Sequence, residues 1–234
     1  MSATPRNYRW LPFITALFVT TLVISNIIAV KLISIGGLFV PAAVILFPVA
    51  YIFGDVLTEV YGFARARQVI WTGFFCNLVA VLAIWLAGLL PAAPFWVAGS
   101  FSTPDTAQQA YNAILGFTPR LLLASFAAYL VGEFLNSFIL AKLKVRTAGR
   151  HLWLRTIVST IVGEGADSLV FITLAFWGIF PPDVIVQSIL SQWTVKVVYE
   201  TLATPLTYLV VNALKKAESE DYYDNATSFN PFQL

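Results

Sequence analysis

The chain has 234 residues, of which 59% are hydrophobic and 11% charged, and a mean hydropathy of +0.79. Soluble domains do not have that balance, so the chain reads as an integral membrane protein. A formal charge of +2 argues against nucleic-acid binding. The single cysteine, Cys76, and single histidine, His151, leave no intrachain disulfide, no thiolate or His-based metal site and no Ser-His hydrolase chemistry.

Arg6 and Arg9 precede a long apolar run, much as in a signal peptide. The run is too long for a cleaved segment and no small-residue cleavage site follows it, so an uncleaved first span is expected. A membrane helix needs about 20 mostly apolar residues. Six segments qualify, at about 10–34, 41–61, 67–90, 119–142, 153–179 and 183–214. The stretch 91–118 is rich in Pro, Gly, Trp and Phe. Within it, Thr103-Pro104-Asp105 reads as an N-cap and first turn, opening a short interfacial helix through Ala107 to Leu115. The expected fold is therefore all-α, a six-transmembrane-helix bundle over 1–216, followed by an acidic, polar tail over 217–234 that reads as disordered.

Eleven of the fourteen Lys and Arg residues fall on one side of these spans: Arg6, Arg9, Arg65, Arg67, Lys142, Lys144, Arg146, Arg150, Arg155, Lys215 and Lys216. The positive-inside rule then places both termini in the cytoplasm. Pro48 and Pro205 each remove a helical donor, in the second and sixth spans. The sixth span, at about 48 Å, exceeds a hydrocarbon core of about 30 Å, which calls for a kink, tilt or protrusion.

Three copies of one pattern lie inside the spans: Gly54-Asp55-Val56-Leu57-Thr58-Glu59, Gly132-Glu133-Phe134-Leu135-Asn136-Ser137 and Gly163-Glu164-Gly165-Ala166-Asp167-Ser168. Residues three or four apart share a helix face, so each copy puts a polar patch on an apolar rod. Acids occur in the second span of each half, which suits an inverted three-plus-three repeat, although the copy in the fourth span falls outside that scheme. Intramembrane charges cost roughly 2.5–3.5 kcal/mol each on insertion scales, so a group of them normally faces a shared cavity with a function.

Counting along the helices places Asp55 and Glu133 roughly 21 Å, and Lys196 roughly 19 Å, below the outer surface, so that these three can meet. Gln192, Lys196 and Glu200 form one stripe, flanked by Trp193 and Tyr199, while Asn26 and Asp167 lie further out. Asp55, Glu59, Glu133, Glu164, Asp167 and Glu200 face only one deep cation, Lys196, so some must be protonated, hydrated or neutralised by a ligand or coupling ion. Plainer readings stand beside these. Glu59 reads as an interfacial charge beside Arg65, Glu133 with Lys196 as a structural ion pair, and Gly54, Gly132 and Gly163 as close-packing positions. A carboxylate with a nearby amide or lysine and an aromatic ring has what a guanine-like edge requires: acceptors for paired N–H groups, a donor for the carbonyl and a stacking surface.

Several stretches resemble the queuosine-precursor transporter family, once described as vitamin-uptake transporters: Phe47-Pro48 through Asp55, Leu57 to Gly62, Ser25-Asn26, Thr118-Pro119-Arg120 with Ala128 to Gly132, Asp167-Ser168 to Trp177, and Lys196 with Thr204 to Tyr208. The similarity covers all six spans and omits the tail. It implies uptake of 7-cyano-7-deazaguanine or 7-aminomethyl-7-deazaguanine across the bacterial inner membrane, with Asn26, Asp55, Asp167 and Lys196 as the principal binding residues; Glu133, Glu164, Gln192, Trp193 and Glu200 are further candidates from the motifs, the depth count and the stripe. An amide often stands in relatives where this chain has Glu133 or Glu164, so a hydrogen-bonding role is expected there. The partners expected are the small 7-deazaguanine solute and the bilayer, with no nucleic acid, no cofactor and no metal, and with a homodimer allowed.

Two other readings compete. A substrate-binding subunit energised by a separate ATPase fits the same helices, and the chain has no G-x-x-x-x-G-K-[ST] loop of its own. An intramembrane aspartyl protease would use Asp55 and Asp167 as a dyad, but the glycine-x-glycine-aspartate spacing is absent and the other buried polar groups would be surplus.

Overall fold

A computed structural model describes residues 7–35, 38–116 and 119–233. Arg6 and Thr118, singled out above, lie outside the described residues. The chain forms α1 (Leu11–Ile28), two short strands β1 (Leu32–Ile35) and β2 (Leu38–Pro41), a 3-10 turn (Ala42–Ile45), α2 (Phe47–Tyr61), α3 (Phe63–Leu89), α4 (Pro104–Leu115), α5 (Pro119–Arg146), α6 (Leu152–Phe176) and α7 (Pro182–Glu218). Among the described residues, five helical segments, containing α1, α3, α5, α6 and α7, are long and apolar enough to cross a membrane. The protein is an all-α membrane bundle.

The first two expected spans differ from the observed ones. β1 and β2 pair antiparallel, Ile33 opposite Val40 and Ser34 opposite Phe39, where the sequence suggested a prolonged α1. Apolar strands carrying the β-branched Ile33, Ile35 and Val40 satisfy a two-stranded ladder as well as a helix, and apolar content alone does not separate the two. Pro48 lies in the first turn of α2, where a missing N–H costs nothing, so it starts the helix and does not interrupt it. α2 has only 15 residues, about 22 Å of helix. It is buried among α1, α3, α5 and α7, with Ile52, Val56, Leu57, Val60 and Tyr61 in the main apolar core. The triplets α1–α3 and α5–α7 are unequal, since their middle helices have 15 and 25 residues. Pro205 is inside α7 as expected, and α7 continues through it for 37 residues. Thr103 caps α4 by the expected mechanism, its hydroxyl accepting from Thr106 N at 3.3 Å while Thr106 Oγ1 accepts from Thr103 N.

Polarity is arranged for a lipid solvent. Val79, Leu123, Leu202 and Leu209 are exposed, whereas Asp55, Thr58, Glu59, Asn136, Ser137, Ser168 and Glu200 are buried. Lipid tails gain nothing from covering leucine, so close contact and internal hydrogen bonds must hold the helices together. α5 and α6 supply this at the Gly132–Gly163 crossing. A Cβ at Gly163 would lie 2.7 Å from Asn136 Cβ and 2.9 Å from Gly132 O. Gly163→Ala is therefore expected to lower stability by about 1–3 kcal/mol, readable as a fall in thermal midpoint in detergent; an unchanged midpoint would mean that the crossing is not close-packed.

At the basic end, the tail is packed where composition suggested disorder. Tyr222 N donates to Val60 O at 3.2 Å, and both Asp224 carboxylate oxygens accept from Phe63 N at 3.1 Å. Arg67 holds Ser228 O and Asn230 O, Trp71 Nε1 holds Pro231 O, and Phe229 packs against Phe63 and Phe138. Gly62, at φ +83°, takes a left-handed turn between α2 and α3, and a Cβ there would strike the Tyr222 ring at 2.2 Å. Aromatic anchors and specific acceptors thus overcome the tail's polar composition.

Glu59 lies beneath this tail, fully buried. Its Oε1 is 2.7 Å from both Arg155 Nη2 and Lys215 Nζ and 3.6 Å from Lys144 Nζ. Asp221 accepts from Lys144 and lies 2.8 Å from Lys215. The expectation of an interfacial Glu59 beside Arg65 is corrected, because Arg65 reaches Gln68 instead. Partial burial pushes the Asp221 carboxyl up, but its hydrogen bonds and ion pairs with Lys144 and Lys215 hold it below the ordinary carboxylate range. A lowered folded-state value means the undocked tail binds the proton more readily. This contribution to docking is complete above the unfolded carboxylate value and is lost as pH falls through the folded one. Proteolysis of the tail should accelerate modestly below about pH 4. The effect is modest because Asp221 is 44% exposed and screened by water. Cleavage rates that do not change with acid would detach Asp221 from docking.

Candidate substrate-binding layer

Four helices direct polar side chains to one level. Glu164 and Asp167 are three residues apart on α6 and share a face. Lys196 of α7 reaches both, with Nζ 2.7 Å from Glu164 Oε2 and a hydrogen bond to Asp167 Oδ2. These three are nearly but not wholly enclosed, with side-chain exposures of 11% for Lys196, 10% for Glu164 and 19% for Asp167.

Asp55 of α2 and Glu200 of α7 sit deeper, at 1% and 0% exposure. Asn136 of α5 donates to Asp55 Oδ1 at 3.0 Å. Glu133 of α5 lies over Gly54, whose missing Cβ would be 3.3 Å from Glu133 Oε2, and it is within electrostatic reach of Glu164, Asp167 and Lys196. Thr58 and Ser137 join α2 to α5 next to the layer, their hydroxyls 3.0 Å apart.

The structure therefore brings together Asp55, Glu133, Glu164, Asp167, Lys196 and Glu200. Lys196 binds the α6 acids, with Glu133 within its electrostatic reach. Gln192 is half-buried one turn before Lys196. Trp193 donates its indole N–H to Ile161 O at 2.9 Å and covers Gly165, a packing arrangement between α6 and α7. Asn26 is drawn elsewhere, donating to Asn77 of α3 at 3.0 Å. Asn136 is the residue that sequence reading passed over. The signal was its place in the Gly132 motif, one turn beyond Gly132 on the face that meets α6.

Chemically, the layer offers several carboxyl acceptors, one ammonium and one amide. Such a set suits a flat polar solute with adjacent N–H donors and a carbonyl. Among the described residues no cluster of three or more His, Cys, Asp or Glu is arranged to hold a metal ion. Two cavities lie away from the layer, at about 420 Å³ beside Arg120, Thr173, Leu174 and Trp177 and about 160 Å³ between α3 and α4.

Residues 41–210, which include α2, α5, α6 and all but the final residues of α7, match the family described as "Putative vitamin uptake transporter". The chain belongs to this family. Members of the vitamin uptake transporter family are carriers and not enzymes, and this chain is a multi-pass membrane transporter. It is 29% identical over 200 residues to a Bacillus subtilis protein named "Probable queuosine precursor transporter", an alignment covering 85% of this chain and 80% of the relative. It is 26% identical over 171 residues to the "Queuosine precursor transporter" of Escherichia coli, covering 72% of this chain and 68% of the relative. A Haemophilus influenzae relative, also named "Probable queuosine precursor transporter", is 27% identical over 131 residues, 56% of this chain and 49% of its own. No solved structure matches the chain. All the layer residues named above fall inside the family match, whereas the packed tail falls outside it.

Proposed function

We infer that the protein imports queuosine precursors, 7-cyano-7-deazaguanine or 7-aminomethyl-7-deazaguanine, across the bacterial inner membrane, with both termini in the cytoplasm. The observation that carries this reading is the meeting of Lys196, Glu164, Asp167, Asp55 and Asn136 at one level of a chain whose relatives are named for these solutes. A deazaguanine presents adjacent N–H and amino donors beside a carbonyl oxygen. A carboxylate accepts the donor pair, and Lys196 or Asn136 donates to the carbonyl. Glu164, Asp167 and Lys196 satisfy one another in the layer, and the solute exchanges those contacts for equivalent ones of its own. Burial of Asp55 and Glu200 fits an occluded conformation between outward- and inward-open states.

The test is uptake of radiolabelled 7-cyano-7-deazaguanine and 7-aminomethyl-7-deazaguanine by cells lacking the protein, with and without complementation, against guanine, thiamine and biotin. Complemented cells are expected to accumulate the two deazaguanines selectively. Equal import by both strains removes the assignment.

A further inference from the structure

Two buried carboxyl groups meet where α2 contacts α7. Asp55 of α2 and Glu200 of α7, at 1% and 0% exposure, lie within electrostatic reach of each other across this contact. Asn136 Nδ2 supplies one oxygen, Asp55 Oδ1, at 3.0 Å. Among the described residues, Asp55 Oδ2 and both Glu200 oxygens receive nothing from an amide, hydroxyl or ammonium group. Ionised carboxylates only accept hydrogen bonds, so two buried beside each other are satisfied by an O–H between them. The surrounding groups do not relieve the pair. Glu133 of α5 faces Asp55, and Glu164 of α6 faces Glu200. Lys196, one turn before Glu200, is bound to Glu164 and Asp167.

We propose that the Asp55–Glu200 pair is a proton-binding site that couples inward movement of the solute to inward movement of a proton. This rests on the carrier reading and adds a driving force to it. In the loaded state one carboxyl O–H bridges the two side chains. On release that O–H bond breaks, the proton passes to water on the side of lower proton activity, and the pair gains one negative charge. Glu164 feels that charge directly and holds Lys196, so the proton's presence is transmitted to the solute layer through a single contact. The geometry favours a proton over a metal cation because two oxygens suffice for a proton, and no larger ligand cluster suited to a metal exists among the described residues.

Two measurements on the purified full-length protein test this. The first is infrared spectroscopy near neutral pH, reading the carbonyl stretch of a protonated carboxyl group and its shift in deuterium oxide. Wild-type protein is expected to show a band that is lost in both Glu200→Gln and Asp55→Asn; a spectrum in which neither variant loses such a band overturns the site. The second is uptake of labelled 7-cyano-7-deazaguanine into proteoliposomes. An inward proton gradient of one pH unit is expected to drive up to about tenfold accumulation for one proton per solute, and in Glu200→Gln the ratio of accumulation with to without the gradient falls to one. Accumulation that follows a sodium gradient, or ignores both gradients while labelled solute still exchanges, overturns the coupling. If wild-type vesicles exchange no solute, the carrier reading fails, and the infrared band alone then decides whether the proton site stands.

Discussion

Glu59→Gln is expected to destabilise the protein by about 3–5 kcal/mol, seen as a fall of about 10 °C in its thermal midpoint in detergent. The size follows from what the carboxylate holds. Arg155, fully buried, and Lys215 both lie 2.7 Å from Glu59 Oε1, with Lys144 at 3.6 Å. Glutamine keeps the shape and removes the charge, leaving three cations with Asp221 as their remaining anion in this cluster. Removing one member of a buried ion cluster is costly because the others remain desolvated. The cluster joins α2 to α5, α6 and α7 and seats the tail, so the loss should also speed cleavage between 219 and 233. Adding Arg155→Met to Glu59→Gln should recover part of the loss, since it removes an uncompensated buried cation. Arg65→Ala should stay within about 0.5 kcal/mol of wild type. If Glu59→Gln melts with wild-type protein, or Arg65→Ala falls as far, Glu59 is an ordinary interfacial charge.

Glu59 also shows where sequence reading stops. Counting basic residues by loop treats each as solvated, and for Lys142 that is adequate. It gives no sign that Lys144 and Arg155, assigned to the same basic loop, turn inward to a shared acid. Helix existence was legible because an apolar run of about 20 residues has few other uses; α3, α5 and α7 each extend about four residues beyond one expected limit, while α6 stops about three residues short of its expected end. The β1–β2 pair was hidden because its residues are as apolar as a span. The packed tail was hidden because composition averages over Tyr222, Asp224, Phe229 and Phe232, the few residues that anchor it. Within the site, depth counting expects Lys196 to meet Asp55 and Glu133 with Asp167 further out, whereas Lys196 binds Glu164 and Asp167, which their three-residue spacing puts on one face of α6. Asn26 meets Asn77 of α3, a pairing that depth along a helix does not reveal because it says nothing about which way around the helix a side chain points.

Lys196→Met is expected to reduce deazaguanine uptake at least about a hundredfold, equivalent to about 3 kcal/mol. Lys196 is the ammonium that Glu164 and Asp167 share, and it is the group that donates to the solute carbonyl in the proposed function. Methionine retains the length and apolar stem of the side chain, so packing of α7 on α6 is largely kept while the charge is lost. The two α6 acids then stand three residues apart without their cation, and like charges at that spacing repel. One of them must take up a proton, which changes the acceptor pattern the solute meets. A transport role and a structural ion-pair role make different predictions for the double variant Lys196→Met with Glu164→Gln. The second change removes the stranded charge, so the thermal midpoint should return towards wild type under either role. Uptake recovers with it if the pair only holds helices together, and stays at least about a hundredfold down if Lys196 donates to the solute.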